Sequence, residues 1–186
     1  SPEVTIDALG HDYVDGTCTR CGDKETAAPT VKYEIANGIK AGDVIAITVV
    51  NGGKTYEMGT SYSGVEFTTL SSPLVTLTVE AGTGDNTYAF KMSNGNYLAL
   101  GNNNNLGVSQ TKTDAASWVV TFADDNAVIL NYSTQGKGNS VERLLVCNVS
   151  SNNKFAPYKK SSCLKADDSI NANYAWPVIY KQVTVG

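Results

Sequence analysis

The sequence predicts an all-β fold built from one unit used three times. Three observations lead there. Gly, Ser, Thr and Asn are abundant while only 17% of residues are charged, and turn formers mixed with β-branched residues favour many short strands. No stretch sustains a 3.6-residue apolar period over three turns, so helix signals are nearly absent. Finally, the main body of the chain repeats itself.

The first 30 residues stand apart from that body. They hold the single histidine, His11, and two of the four cysteines, in the stretch His11-Asp12-Tyr13-Val14-Asp15-Gly16-Thr17-Cys18-Thr19-Arg20-Cys21-Gly22. A small, polar run from Glu25 to Thr30 follows and reads as a linker. The boundary falls near Pro29, giving a Cys/His-containing segment with linker over 1–30 and a β domain over 31–186.

Within the β domain a first strand is expected at Asp43–Ile47, Thr87–Met92 and Ala127–Tyr132. Each runs into a Gly- or Asn-bearing turn, at Asn51-Gly52-Gly53, Asn94-Gly95-Asn96 and Gly136–Asn139. Second strands follow at Tyr56–Met58, Tyr97–Leu100 and Arg143–Val146, and third strands begin at Gly64, Gly107 and near Lys154. Fourth strands are expected at Leu74–Val79, Trp118–Phe122 and Trp176–Tyr180. The spacing is regular: 41 residues separate Tyr56 from Tyr97, 43 separate Gly64 from Gly107, and 44 separate Leu74 from Trp118. The next step is 47 residues from Tyr97 to Leu144 and stretches to 58 from Trp118 to Trp176, which puts an insertion around Ser161 to Tyr174. Leu74, Trp118 and Trp176 then occupy equivalent positions and read as core, as do Tyr56 and Tyr97.

Four strands three times over make twelve. A propeller needs at least four blades, whereas twelve strands in three equivalent parts fit a β-trefoil, in which six strands close a barrel and six form capping hairpins. An immunoglobulin-like β-sandwich of about seven strands is the alternative, and the threefold spacing would then be accidental.

The run Tyr88–Met92, Asn96–Leu100, Gly107-Val108 and Ala115–Val120 resembles one repeat of the ricin- and fascin-like trefoils, and the pattern extends over about residues 42–182. That resemblance implies a trefoil, and function drawn from it is analogy. The Gln-x-Trp that ends each repeat of ricin-like lectins is replaced by Ala116-Ser117-Trp118 and Tyr174-Ala175-Trp176, so their sugar-binding mode is not carried over. The segment His11 to Gly22 resembles His…Asp-Gly-x-Cys-x-x-Cys-Gly pieces found between modules of large gut-bacterial surface proteins. It implies a secreted or cell-surface location and other modules on the same parent chain.

Charge and composition exclude several classes. A net charge of −4 argues against binding a nucleic-acid backbone, which needs clustered cations. Lys154, Lys159, Lys160 and Lys165 lie close to Asp167 and Asp168 and read as a solvated edge. No run of 18 apolar residues exists, so no membrane insertion is expected. The sequence starts at Ser1-Pro2 without a signal peptide and reads as a processed fragment.

His11, Cys18 and Cys21 have the ligand types of half a structural zinc site, with Asp12 or Asp15 nearest to supply a fourth group; a plain reduced knuckle or a local Cys18–Cys21 disulfide are the alternatives. No other cofactor is expected. Cys147 and Cys163 either form a disulfide across the insertion or are buried thiols that fill space. An aromatic face beside amide side chains is the chemistry of sugar recognition, and Tyr62, Tyr158, Asn171, Asn173 and Tyr174 are the residues that suit it, with Tyr132 a further unconstrained aromatic. Catalysis is not expected. His11 lies outside the β domain, which removes a Ser-His-Asp arrangement, and Glu57 and Glu66 are expected to point outward. The reading is a non-catalytic module that binds a glycan or a surface protein, with adhesion or a structural spacer as the other possibility.

Overall fold

A computed structural model describes residues 10, 12–22, 24, 30–133 and 140–185. The described chain is all-β, and it divides into two compact units, residues 1–30 with 185–186 and residues 31–184.

The smaller unit is built on a hairpin. Strand β1 (Tyr13–Val14) pairs antiparallel with β2 (Thr17–Cys18), with Tyr13 opposite Cys18 and Val14 opposite Thr17. Asp15 and Gly16 join them with φ of 50° and 74°. Two consecutive positive φ values define the type I′ turn that matches the twist of a hairpin, and Asp-Gly is a preferred pair there. Beyond it, the Gly22 N–H donates to the Cys18 carbonyl at 2.9 Å.

The larger unit carries β3 (Thr30–Ile35), β4 (Val44–Asn51), β5 (Lys54–Met58), β6 (Gly64–Phe67), β7 (Leu77–Ala81), β8 (Tyr88–Met92), β9 (Tyr97–Leu100) and β10 (Leu106–Ser109). It continues with β11 (Val119–Ala123), β12 (Asn126–Ser133), β13 (Val141–Asn148), β14 (Lys154–Lys159), β15 (Tyr174–Ala175) and β16 (Val178–Val185). A 3-10 turn at Asp114–Ala116 and a four-residue helix α1 (Lys160–Cys163) interrupt them. Strands β4 to β14 and β16 fall on the expected four-strand units. Two more lie outside those units: β3, which precedes the first unit, and β15, at the end of the insertion.

Three antiparallel runs, β4–β5–β6, β8–β9–β10 and β12–β13–β14, join consecutive strands. Other pairings link one run to the next: β4 with β7, β7 with β8, β11 with β12, and β16 with β4. Two shorter links complete the set. Tyr88 bridges to Trp118, and the Ala127 N–H donates to the Pro177 carbonyl at 2.8 Å. Followed from strand to strand, these contacts leave β4 through β7, β8, β11, β12 and β16 and return to β4. The hairpins also touch one another, since the Phe155 N–H donates to the Tyr62 carbonyl at 2.8 Å and the Gly64 N–H to the Asn153 carbonyl at 3.0 Å. A Cβ at Gly64 would meet Asn153 Cβ at 2.8 Å, so only glycine permits that approach.

The main core gathers Ile45, Ile47 and Val49 of β4, Leu77 and Val79 of β7, Phe90, Leu98, Trp118, Ile129, Leu145, Cys147, Phe155 and Ile179. The period-2 spacing within β4, β7 and β13 is what a strand needs to send alternate side chains inward, and each large side chain buried contributes about 1.5–3 kcal/mol. Leu144 and Val146, on the other face of β13, form a second cluster with Cys163, joined by Tyr158, Leu164, Ile170, Tyr174 and Trp176.

Three expectations are corrected here. Leu74 is not the counterpart of Trp118: it is 57% exposed, and Leu77, fully buried, fills the core instead. Glu57 does not point outward. It is buried, and its carboxylate accepts the Leu74 N–H at 2.5 Å, which holds the Leu74 backbone out of the ladder and delays β7 by three residues. Trp176 packs half-buried in the second cluster, whereas Trp118 is buried in the main one and donates its indole N–H to the Leu98 carbonyl at 3.0 Å.

Candidate functional site

Strand β12 ends at a cleft. Asn131 is buried and Tyr132, beside it, is 52% exposed. The Asn131 amide spends both ends on the backbone: Nδ2 donates to the Ala115 carbonyl at 2.9 Å, and Oδ1 accepts the Tyr132 N–H at 2.7 Å. The strand end carrying Tyr132 is thereby tied to the 3-10 turn that carries Asp114. Across the cleft, the Thr83 hydroxyl donates to Asp114 Oδ1 at 2.6 Å, and the Thr83 N–H donates to Ser117 Oγ at 3.0 Å. The Ser117 hydroxyl donates in turn to the Thr113 carbonyl at 2.8 Å. The loop that brings Thr83 here has a narrow neck, where the Gly82 N–H meets the Thr87 carbonyl at 2.9 Å and any Cβ on Gly82 would collide with the Thr87 side chain. The space is about 240 Å³, walled by Thr83, Thr87, Asp114, Ser117, Val119 and Tyr132. A wall that combines an aromatic residue with fixed hydroxyls and a carboxylate has the groups that take an apolar C–H face and hydroxyl protons.

The residues expected at a sugar site divide into two places. Tyr158 and Tyr174 do come together, with ring centroids 4.9 Å apart and planes tilted by 54°. Both are half-buried on the second cluster, and the Asn148 amide donates to the Tyr158 hydroxyl at 3.4 Å. Burial, with Cys163 and Tyr158 close by, holds the Tyr174 phenol above its ordinary range. Asn171 and Asn173 build the loop that carries Tyr174: the Asn171 N–H donates to the Cys163 carbonyl at 2.7 Å, the Asn171 carbonyl accepts the Tyr174 N–H at 2.9 Å, and the Asn173 carbonyl accepts the Val149 N–H at 3.0 Å. Tyr62 lies elsewhere. It has a φ of 64° and borders a separate space of about 280 Å³ with Leu74, Met92 and Val108. A third space, of about 480 Å³, opens beside the insertion, where Lys160 pairs with Glu142 at 3.4 Å.

Cys147 and Cys163 are not bridged in this structure. Both are buried thiols, and they face opposite sides of β13, Cys147 in the main core and Cys163 in the second cluster. The alternation of the strand separates them, and of the two arrangements the sequence leaves open the structure has the buried, space-filling thiols. Cys18 is buried and Cys21 exposed; His11 lies outside the described residues. Among the described residues no three His, Cys, Asp or Glu side chains gather to hold a metal ion.

Asp114, Thr83, Ser117 and Asn131 are the cleft residues that sequence reasoning missed. The one available signal was Tyr132 at the end of a strand, next to an asparagine. Compared with known proteins, the chain matches no family model and has no significant similarity to any curated protein.

Proposed function

We propose that this chain is a non-catalytic glycan-binding module with a β-trefoil fold, carried on a secreted or cell-surface protein. Support for the trefoil comes from the circular succession of pairings through β4, β7, β8, β11, β12 and β16, with a hairpin between members of each pair; a sandwich of two layers has no reason to return to its first strand. Glycan recognition rests on one observation above the others: the half-exposed Tyr132 borders a space walled by Thr83, Asp114 and Ser117. Those groups are already fixed by hydrogen bonds to one another. Binding therefore orders few side chains, and little affinity is lost to entropy. The extracellular assignment draws on the likeness of the His11–Gly22 segment to pieces of bacterial surface proteins.

Calorimetric titration of the whole chain with a panel of neutral and acidic polysaccharides tests this reading. At least one should bind, and Tyr132→Ala should weaken it about tenfold or more with an unchanged far-UV circular dichroism spectrum. Absence of binding across the panel by the folded protein would overturn the assignment.

A further inference from the structure

A second surface, apart from the Tyr132 cleft, points to a partner. Strand β3 ends the ladder that runs β4–β16–β3, and among the described residues no strand pairs with its outer side. It is a narrow attachment: Val31 and Ile35 are 44% and 46% exposed, and Lys32 and Glu34 keep about half of their side-chain surface. An edge of this kind presents unpaired backbone groups to any second strand that can approach.

The order of residues along the edge says which strand fits. The Ala36 N–H donates inward to the Ile179 carbonyl of β16 at 2.8 Å. Backbone groups alternate in direction along a strand, so residues 32 and 34 also turn inward, and Val31, Tyr33 and Ile35 turn their N–H and C=O outward. An antiparallel two-fold through Tyr33 would then make Tyr33 a hydrogen-bonded pair with itself and set Val31 against Ile35 of the second copy in two further such pairs. In the same register Lys32 stands opposite Glu34 and Glu34 opposite Lys32. Within one chain these two already sit on one face, with Lys32 Nζ 2.7 Å from Glu34 Oε1. A lone edge lysine repels a copy of itself; here each cation meets an anion, and each exposed aliphatic meets another.

We propose that β3 is a self-complementary docking edge, and that its partner is a second copy of this chain, joined through Val31–Ile35 about a two-fold axis at Tyr33. Interfaces related by a two-fold use the same patch on both subunits, and the sequence Val-Lys-Tyr-Glu-Ile meets that condition at every position. One strand pairing buries little surface, so the association is weak, with dissociation near about 100 µM.

Sedimentation equilibrium of the full chain from micromolar to millimolar concentration tests it. The wild type should pass from monomer to dimer over that range. K32E and E34K each place like charges opposite one another in both cross-strand pairs, and each should weaken association about tenfold, with unchanged circular dichroism. Mixing K32E with E34K restores both opposite-charge pairs and should restore the dimer as a heterodimer. A wild type that stays monomeric throughout, or a dimer whose strength ignores these charges, would overturn the proposal.

Discussion

Tyr88 and Trp118 exchange two backbone hydrogen bonds, N–H to carbonyl in each direction, both 2.8 Å long. The Trp118 indole adds a third tie by donating to the Leu98 carbonyl at 3.0 Å. One buried residue thus holds β8, β9 and the start of β11 together, two of its ties through the backbone and one through the indole. Trp118→Phe keeps most of the apolar volume but leaves the Leu98 carbonyl unsatisfied beside a small cavity, at a cost of about 1–3 kcal/mol. Trp118→Ala should cost about 3–5 kcal/mol. Urea denaturation followed by far-UV circular dichroism measures both.

Arg143 is 1% exposed, and its guanidinium reaches three segments. Nε donates to Ser133 Oγ at 2.9 Å, and Nη1 donates to Asn104 Oδ1 at 2.8 Å and to the Pro157 carbonyl at 2.7 Å. Arg143→Met would retain the stem and strand those acceptors away from water, so a loss of about 2–4 kcal/mol is expected. Arg143→Lys should recover only part of it, because an ammonium lacks the planar fork. The urea midpoints of the two variants give the comparison.

The Tyr158–Tyr174 pair and the Tyr132 cleft separate stability from binding. Tyr174→Ala removes a ring packed on Tyr158 and the second cluster, so the fold should lose about 2 kcal/mol. Glycan affinity should stay within about twofold of wild type, since that loop does not wall the cleft. A large loss of affinity in calorimetry would move the binding site to the insertion.

The sequence carried the strands well and the sites poorly, for a physical reason in each case. Strands such as Tyr88–Met92 and Tyr97–Leu100 were legible because alternation and an Asn-Gly turn are local signals. The onset of β7 lies three residues beyond where the alternation predicts it, because the Glu57 carboxylate, 17 positions away, captures the Leu74 amide. Spacing alone leaves Cys147 and Cys163 bridgeable, yet which face of β13 Cys163 meets depends on how α1 folds back. The Asn102–Asn105 run carries no local sign of its partners: Asn104 accepts from Arg143 and Asn105 from Lys154 Nζ, both at 2.8 Å. The Tyr132 cleft stayed hidden for the same reason. Its walls come from a loop at 83–87 and a turn at 113–117, and only the pairing of β8 with Trp118 brings those together.

The two buried thiols make stability fall in alkali. Burial pushes Cys147 from an ordinary 9.0 up to about 12. It pushes Cys163 up to about 11, with Arg143 pulling the other way. The folded state therefore keeps both protons over a range of pH in which the unfolded chain has released them. Fewer protons bound in the unfolded state means that stability declines as pH rises. The decline should begin near pH 9 and continue until the folded thiols ionise, near 11 for Cys163 and 12 for Cys147. Urea midpoints at pH 8 and pH 10.5 read the drop directly. Cys147→Ala lowers stability at both pH values through the small cavity it leaves, but the difference between the two midpoints should shrink, because one of the two linked protons is gone. An unchanged difference would mean that other groups carry the alkaline loss, such as Tyr62, Tyr174 and Tyr180, which partial burial also holds above their ordinary range. The same burial should keep Cys147 and Cys163 unreactive toward a thiol reagent at pH 8 until the protein unfolds, because the thiolate is the attacking form.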